Sequence, residues 1–328
     1  MRLSLRTWLL VAGLSCVGLA LAVLTQFVYP ASGHLYGATF SPAYARFLGL
    51  DSAEVFIAML DELQPSQVRI PVHWDEVQSE FGQNDFAELD WLMQEAANRR
   101  VGVILAIGNK VPRWPECYTP GWASKLSAVD YEQALLDYVE LVVTRYRDHS
   151  GLKRWQVENE VLFPFGKCPQ TNYQLVEREI ARVRLLDPQH PIQLTVSGEQ
   201  QLWIGQAADA DIIGTSLYRR VALPNGFRFT FPIPPQMYAL QALSLAWLVD
   251  EVVISELQAE PWLIQDYRQY SAAEAAQLFT PQQLLSYVRY AHNTSLKEIS
   301  FWGVEWWYYL KQHGYPELWE TGRSILTQ

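Results

Sequence analysis

Positive charge is in short supply: 25 Lys and Arg face 35 Asp and Glu, for a formal net charge of -10. No basic run offers phosphates a footprint, which argues against a nucleic-acid partner. Cysteine is scarce, with three residues and no CxxC spacing, so a zinc module is not indicated. The six histidines, at 34, 73, 149, 190, 292 and 313, are scattered and form no HxH pair, so no metal is expected. No Walker motif occurs, and "GATFSPAY" lacks the GxGxxG turn that a dinucleotide-binding fold places after its first strand. No cofactor is therefore expected. Low-complexity tracts, long charge runs and solenoid repeats are also missing.

With 49% hydrophobic and 18% charged residues over 328 positions, the chain can bury a large core and fits one big α/β domain. Thirteen Trp, 17 Tyr and 13 Phe exceed simple core needs. Such rings suit a ligand with flat apolar faces, such as a sugar.

Arg2 and Arg6 precede an uncharged, mostly apolar stretch at 8–29, long enough as a helix to cross a ~30 Å hydrocarbon core. This predicts a signal anchor over residues 1–30, a transmembrane helix with a cytoplasmic N-terminus and an exported domain at 31–328. A cleaved signal peptide is the rival, with "ASG" at 31–33 as a cleavage site and a secreted product. Its apolar region is normally only ~7–15 residues. Cys16 has Gly13 three positions earlier, where lipidation would want Leu.

Eight β-rich apolar runs recur, at 34–40, 67–72, 101–108, 153–159, 191–197, 211–218, 251–256 and 298–304. Segments of helical periodicity, such as "AELDWLMQEAANRR" and "YQLVEREIARVRLLD", separate them. Strand–helix alternation of this length gives either a doubly wound sheet or a closed (β/α)8 TIM barrel, both with Val/Ile/Leu-rich buried strands. The strand count favours the barrel. Long loops are expected after the third and fourth strands and around "LPNGFRFTFPIPPQ".

Barrels of this type build their sites at the C-terminal ends of strands. Glu160 ends the fourth strand candidate in "RWQVENEV" and Glu256 ends the seventh in "VVISELQAEPW". Two carboxylates are what glycosidic cleavage needs, ~5–5.5 Å apart for retention and ~6.5–9.5 Å for inversion. "VRIPVHW", "VENE", "SLY", "ISELQAEPW" and "FWGVEWW", in that order on those strands, resemble the retaining glycoside hydrolases of clan A, nearest family 5, the cellulase-like group. The resemblance covers roughly residues 34–328. It implies a general acid/base at Glu160, a nucleophile at Glu256, Asn159 on the substrate 2-hydroxyl, and Arg69 paired with the nucleophile.

The residues suit those roles. Arg69 can donate two parallel hydrogen bonds to a carboxylate and Tyr218 a third, whereas Glu160 needs a raised pKa to arrive protonated. Trp302 matches the tryptophan that floors the sugar subsite. Trp74, Trp114, Trp122, Trp262 and Trp306 lie in or beside the active-face loops, while Trp91, Trp155, Trp203 and Trp247 read as core. Glu305 either binds a sugar hydroxyl or supports the site from behind.

Two family histidines are absent: "AIGNK" ends strand three, with Asn109 or Lys110 as stand-in, and Ser216 sits two residues before Tyr218. Regular alternation would put Glu158 on the face of Glu160, so either the strand ends before it or the barrel interior holds a second carboxylate partnered by a residue such as Arg154. Cys117 and Cys168 fall in loops after adjacent strands, which predicts a disulfide across the active-site rim, against the alternative of two free thiols. A carbohydrate substrate is expected. The rival from another class is an inactive sugar-binding barrel, which needs the aromatic cleft but not both glutamates.

Overall fold

In the computed structural model, described over residues 31–168, 172–223, 226–263 and 265–327, the eight expected runs form parallel strands. They are β1 (Leu35–Thr39), β2 (Gln67–Pro71), β3 (Gly102–Ile107), β4 (Leu152–Val157), β5 (Ile192–Val196) and β6 (Ile212–Leu217). After a short hairpin, β7 (Arg220–Ala222) and β8 (Arg228–Thr230), the barrel resumes with β9 (Glu251–Gln258) and β10 (Glu298–Trp302). Strand β1 pairs with both β2 and β10, and this closes the ring. The hairpin occupies part of the stretch expected to be loop.

Six helices of ten or more residues lie among the described residues: α1 (Ala87–Asn98), α2 (Ala128–Tyr146), α3 (Tyr173–Leu186), α4 (Gln236–Leu245), α5 (Pro281–His292) and α6 (Glu317–Leu326). Their ends follow local chemistry. Thr280 caps α5, accepting from the Gln283 N–H while the Gln283 side chain accepts from the Thr280 N–H, with proline at the first turn. On α2, Leu135, Tyr138, Val139, Val142 and Tyr146 recur at helical spacing and are buried. They join the outward-facing strand residues Val68, Val103, Leu105, Trp155 and Leu194 in one core between sheet and helices.

The barrel interior departs from the aliphatic filling expected. Gln67 and Arg69 of β2, Arg154 and Gln156 of β4, Gln193 of β5, and Glu298 and Ser300 of β10 are all buried. Hydrogen bonds link some of them across the ring, with Gln193 and Arg69 each donating to Gln156 Oε1 at 3.2 Å, while Gln67 Nε2, Gln193 Oε1 and Arg154 Nε meet no partner among the described residues. Glycines make the room. A Cβ on Gly37 would lie 2.8 Å from Ser300 Oγ, and one on Gly214 would lie 2.8 Å from Gln193 Nε2. Arg154 reaches across to Glu298 on the opposite side of the ring with both guanidinium nitrogens, one of them at 3.0 Å. Arg154 therefore has its own partner and is not the counter-ion of Glu158.

Among the described residues no helix is long and apolar enough to cross a membrane. The expected transmembrane helix at 1–30 lies outside the described residues.

Arg154→Met leaves Glu298 charged and unpaired in a closed space, and is expected to cost about 3–5 kcal/mol of stability. Arg154→Met/Glu298→Leu removes both charges and is expected to recover most of that loss, as measured by denaturant unfolding of the two variants.

Candidate active site

The fourth strand stops at Val157, and the next residues leave strand geometry: Glu158 has φ 58° and Glu160 φ 43°, both left-handed. The alternation that would align the two glutamates fails here, so Glu160 lies beyond the strand rather than ending it. Its N–H donates to Thr195 Oγ1 at 2.9 Å, and Lys110 Nζ donates to its carbonyl at 3.1 Å and to that of Phe163 at 2.7 Å. The Ser216 hydroxyl donates to Glu160 Oε1 at 2.8 Å. Burial, and then the charge of Glu256, push the Glu160 carboxyl up to about 8. It therefore carries its proton at neutral pH.

Glu256 reaches the interior through a bulge. Thr215 pairs with Ile254 but Ser216 pairs with Glu256, so one extra residue, Ser255, sits in β9. Val252 and Ile254 face the helix-side core, and strict alternation would send Glu256 the same way. The extra residue turns it inward instead. Arg69 Nη2 donates to Glu256 Oε1 at 2.8 Å and the Tyr218 hydroxyl to Oε2 at 3.0 Å. Only one Arg69 nitrogen serves Glu256. The expected parallel pair of bonds is replaced by a spread, with Nε to Thr39 Oγ1 at 3.0 Å and Nη1 to Gln156.

Asn159 is 1% exposed, and its Oδ1 accepts from Gln156 and Thr195 at 3.2 and 3.0 Å. With its oxygen taken, the amide nitrogen is the group left for a ligand. Glu158 accepts the backbone N–H groups of Asn109 and Lys110 at 2.7 and 2.6 Å. Glu158 thus fixes the backbone of those two residues; of their side chains, Asn109 Oδ1 accepts from the Thr119 hydroxyl at 2.7 Å and the Lys110 ammonium is held by backbone carbonyls.

The tryptophans divide differently from expectation. Trp74 is fully buried, with its ring against Trp122, Tyr131 and Tyr138, and is core rather than a sugar platform. Trp306 is likewise fully buried, and Trp247, expected in the core, is 75% exposed. Trp114 is 59% exposed and Trp262 half-buried. Phe165 links them, with ring centres 6.0 Å from Trp114 and 5.8 Å from Trp262, and Trp262 meets Tyr218 at 5.6 Å. This wall of rings leads from the rim to Glu256.

Trp302 is 8% exposed, with the Arg113 guanidinium 4.1 Å and the Arg69 guanidinium 5.6 Å from its ring centre, so cations already occupy the ring that was expected to floor the sugar subsite. Arg113 is sandwiched against Tyr44 at 3.8 Å and donates to Glu260 and to Glu305, the latter at 2.8 Å. Glu305 also accepts from the Ser41 N–H at 2.8 Å and is fully buried, which assigns it to support and removes it from sugar binding.

Sequence reasoning missed Arg113, Glu260, Phe165, Glu116 and Glu199. Glu116 is buried 3.6 Å from Lys110 Nζ, and burial raises it well above the carboxylate range. Glu199 accepts from the Tyr218 N–H at 2.7 Å and the Tyr238 hydroxyl at 2.5 Å. Burial pushes it up to about 7. Glu116 directly precedes a cysteine whose partner is across the rim, which is the one signal that pointed to its loop. Cys117 and Cys168 are joined, Cα atoms 5.2 Å apart, tying the loop after β3 to that after β4.

Among the described residues no group of three or more His, Cys, Asp or Glu is arranged to hold a metal ion. Two cavities of about 400 and 520 Å³ lie away from the carboxylates, one under α4 and one beside α1.

No family model and no curated protein matches the chain. Solved structures do. A beta-galactosidase from Bacillus circulans sp. alkalophilus aligns with a TM-score of 0.60 at 11% identity over 90% of this chain. A GH5_18 protein from Streptomyces cattleya in complex with GlcNAc gives 0.56 at 12% over 84% of this chain and 71% of its own. Xylanase 10B from Thermotoga maritima gives 0.53 at 14%, covering 82% of this chain and 83% of its own. The fold is that of clan A glycoside hydrolases. The chain spans 56% of the beta-galactosidase's length. At 11–14% identity the likeness to the clan is one of barrel architecture.

Removing the Ser216 donor, which favours the ionised form of Glu160, is expected to move that carboxyl's titration upward from about 8. Carboxyl-carbon NMR titration of Ser216→Ala beside wild type measures the shift, and a downward shift would contradict the assignment.

Proposed function

We propose that the protein is a glycoside hydrolase that cleaves an O-glycosidic bond with retention of configuration. The observation that carries this reading is the asymmetry of one carboxyl pair. Glu160 is kept protonated by burial and by Glu256, while Glu256 accepts from a guanidinium and a phenol, donors that suit a carboxylate. Two environments give two roles.

In the first step Glu256 attacks the anomeric carbon as Glu160 passes its proton to the leaving oxygen, so the glycosidic C–O bond breaks and a glycosyl ester forms. In the second, ionised Glu160 takes a proton from water, whose oxygen attacks the anomeric carbon and releases Glu256. Arg69 and Tyr218 hold the nucleophile's oxygens during both steps. Asn159 offers its amide to the sugar's 2-hydroxyl. Trp114 and Trp262 stack on sugar C–H faces. The Streptomyces cattleya neighbour holds GlcNAc, which supports a carbohydrate substrate.

We also propose an extracytoplasmic setting. A membrane segment at 8–29 would join β1 at the barrel's bottom and leave the carboxylate face pointed away from the bilayer. Protease mapping on intact cells that found the loops at 109–118 and 161–167 protected would contradict this.

A panel of chromogenic glycosides assayed with wild type, Glu160→Ala and Glu256→Ala tests the chemistry. Loss of general acid–base catalysis is expected to cost about 10²–10⁴ in rate for Glu160→Ala, and Glu256→Ala is expected to be at least as damaging. The acid must be protonated, so kcat/KM is expected to fall tenfold per pH unit above about 8. NMR of the first-formed anomer reads the stereochemistry. Activity surviving both substitutions would refute the assignment, and sugar binding without turnover in wild type would favour the inactive sugar-binding barrel.

A further inference from the structure

Glu158 was the charge without a role in the sequence, and its surroundings give it one. Its carboxylate spends both oxygens on backbone amides, Oε1 on Asn109 and Oε2 on Lys110, while its own N–H donates to the Ile107 carbonyl at 2.8 Å. Gly108 has φ 116°, and a Cβ there would lie 2.4 Å from Glu158 Oε1. The "IGN" turn is therefore built around this carboxylate. Behind it, on α3, stands Glu179, 1% exposed, with its carboxyl in electrostatic interaction with that of Glu158. Glu179 Oε2 meets no N–H or O–H donor among the described residues.

Two carboxyl groups can share a hydrogen bond only if one of them keeps its proton. Glu158 is already committed as an acceptor to two N–H groups, so the proton belongs on Glu179. The other groups facing the pair do not change this. Tyr131 and Tyr138 of α2 are phenols held neutral by burial, Lys110 presents its ammonium to carbonyl oxygens, and Arg178 turns outward to Glu132. A buried ionised Glu179 would have no compensating partner.

We propose that Glu179 is a permanently protonated carboxylic acid that donates to Glu158, and that this acid–carboxylate pair is the positioning device for Glu160. The chain of contacts runs from Glu179 to Glu158, from Glu158 to the amides of 109 and 110, and from Lys110 Nζ to the carbonyls of Glu160 and Phe163. Glu160 takes its left-handed conformation at the end of that chain. Burial, with the negative charge of Glu158, raises Glu179 well above the carboxylate range, in keeping with this assignment. The kinetic part of the proposal rests on the glycosidase reading; the protonation part does not.

The test compares Glu179→Gln, Glu179→Leu and Glu158→Gln in the full chain. Gln at 179 still donates to Glu158, so its melting temperature is expected within about 2 °C of wild type. Leu at 179 removes the donor, and Gln at 158 sets an amide NH2 against backbone N–H, so each is expected to melt roughly 3–8 °C lower. Infrared difference spectra of carboxyl-labelled protein at neutral pH are expected to lose one protonated carboxyl in Glu179→Gln and none in Glu158→Gln. With a chromogenic glycoside, Glu179→Leu is expected to lower kcat about 10-fold with KM nearly unchanged, and Glu179→Gln to restore it. Equal damage from both Gln variants, or a protonated-carboxyl band that survives Glu179→Gln, would overturn the proposal. Should Glu158→Gln fail to fold, the Glu179 pair and the spectra still decide. If wild type hydrolyses no glycoside, the function fails while melting and infrared continue to test the pair.

Discussion

Arg69 carries a permanent charge into the middle of the barrel, and the surrounding sequence is arranged around the cost of keeping it there. A guanidinium withdrawn from water loses several kcal/mol of solvation unless every donor is met. Here Thr39, Gln156 and Glu256 each accept from it, and three strands are thereby bound to one group. Gln156 then hands the constraint on, through its amide to the carbonyl of Glu158 at 2.9 Å and to Asn159. The residues that hold Glu256 and those that shape the turn before Glu160 are one hydrogen-bonded network. Truncating any member strands its neighbours, so the interior is polar but not soft.

Both carboxylates are placed by breaking the rule that builds the strands they belong to. In a regular strand every second side chain faces the ring, and that periodicity is what makes β4 and β9 readable as strands. Glu256 faces inward only because β9 holds an extra residue at Ser255, and the left-handed turn after Val157 separates Glu160 from Glu158, which alternation would have left on the same face. Non-glycine residues in that conformation are strained and persist where neighbours over-determine them. Lys110 and Thr195 supply that over-determination for Glu160.

This divides what was legible in the sequence from what was not. All eight barrel strands were, since short apolar, β-rich runs recur between segments of helical periodicity even where polar residues interrupt them. Glu160, Glu256, Arg69, Asn159 and Tyr218 were also legible as a group, from their order at strand ends, and the structure brings them together. What stayed hidden depends on contacts between distant loops. Nothing in "KVPRWP" announces that Arg113 lies between Tyr44 and Trp302 with two carboxylates on its fork, and nothing near Trp74 announces three aromatic neighbours that bury it. The interior was misread for a related reason: composition counts apolar residues, but does not say that they face the helices while glutamines face the ring.

The two missing histidines have different consequences. Ser216 keeps a donor on Glu160, with a neutral hydroxyl in place of a ring that titrates near neutrality. At the end of strand three the backbone N–H groups of Asn109 and Lys110 are taken by Glu158, the lysine's ammonium by backbone carbonyls and Asn109 Oδ1 by the Thr119 hydroxyl. One position keeps a donor on the carboxyl pair; the other ties the strand-three end into scaffolding. Above the pair, Trp114, Phe165 and Trp262 form a wall of rings, and the disulfide joins the two loops that carry Trp114 and Phe165. In the proposed reaction, hydrogen bonds deep in the barrel would fix the reacting bond, and the shape and spacing of the apolar faces above it would select the sugar chain.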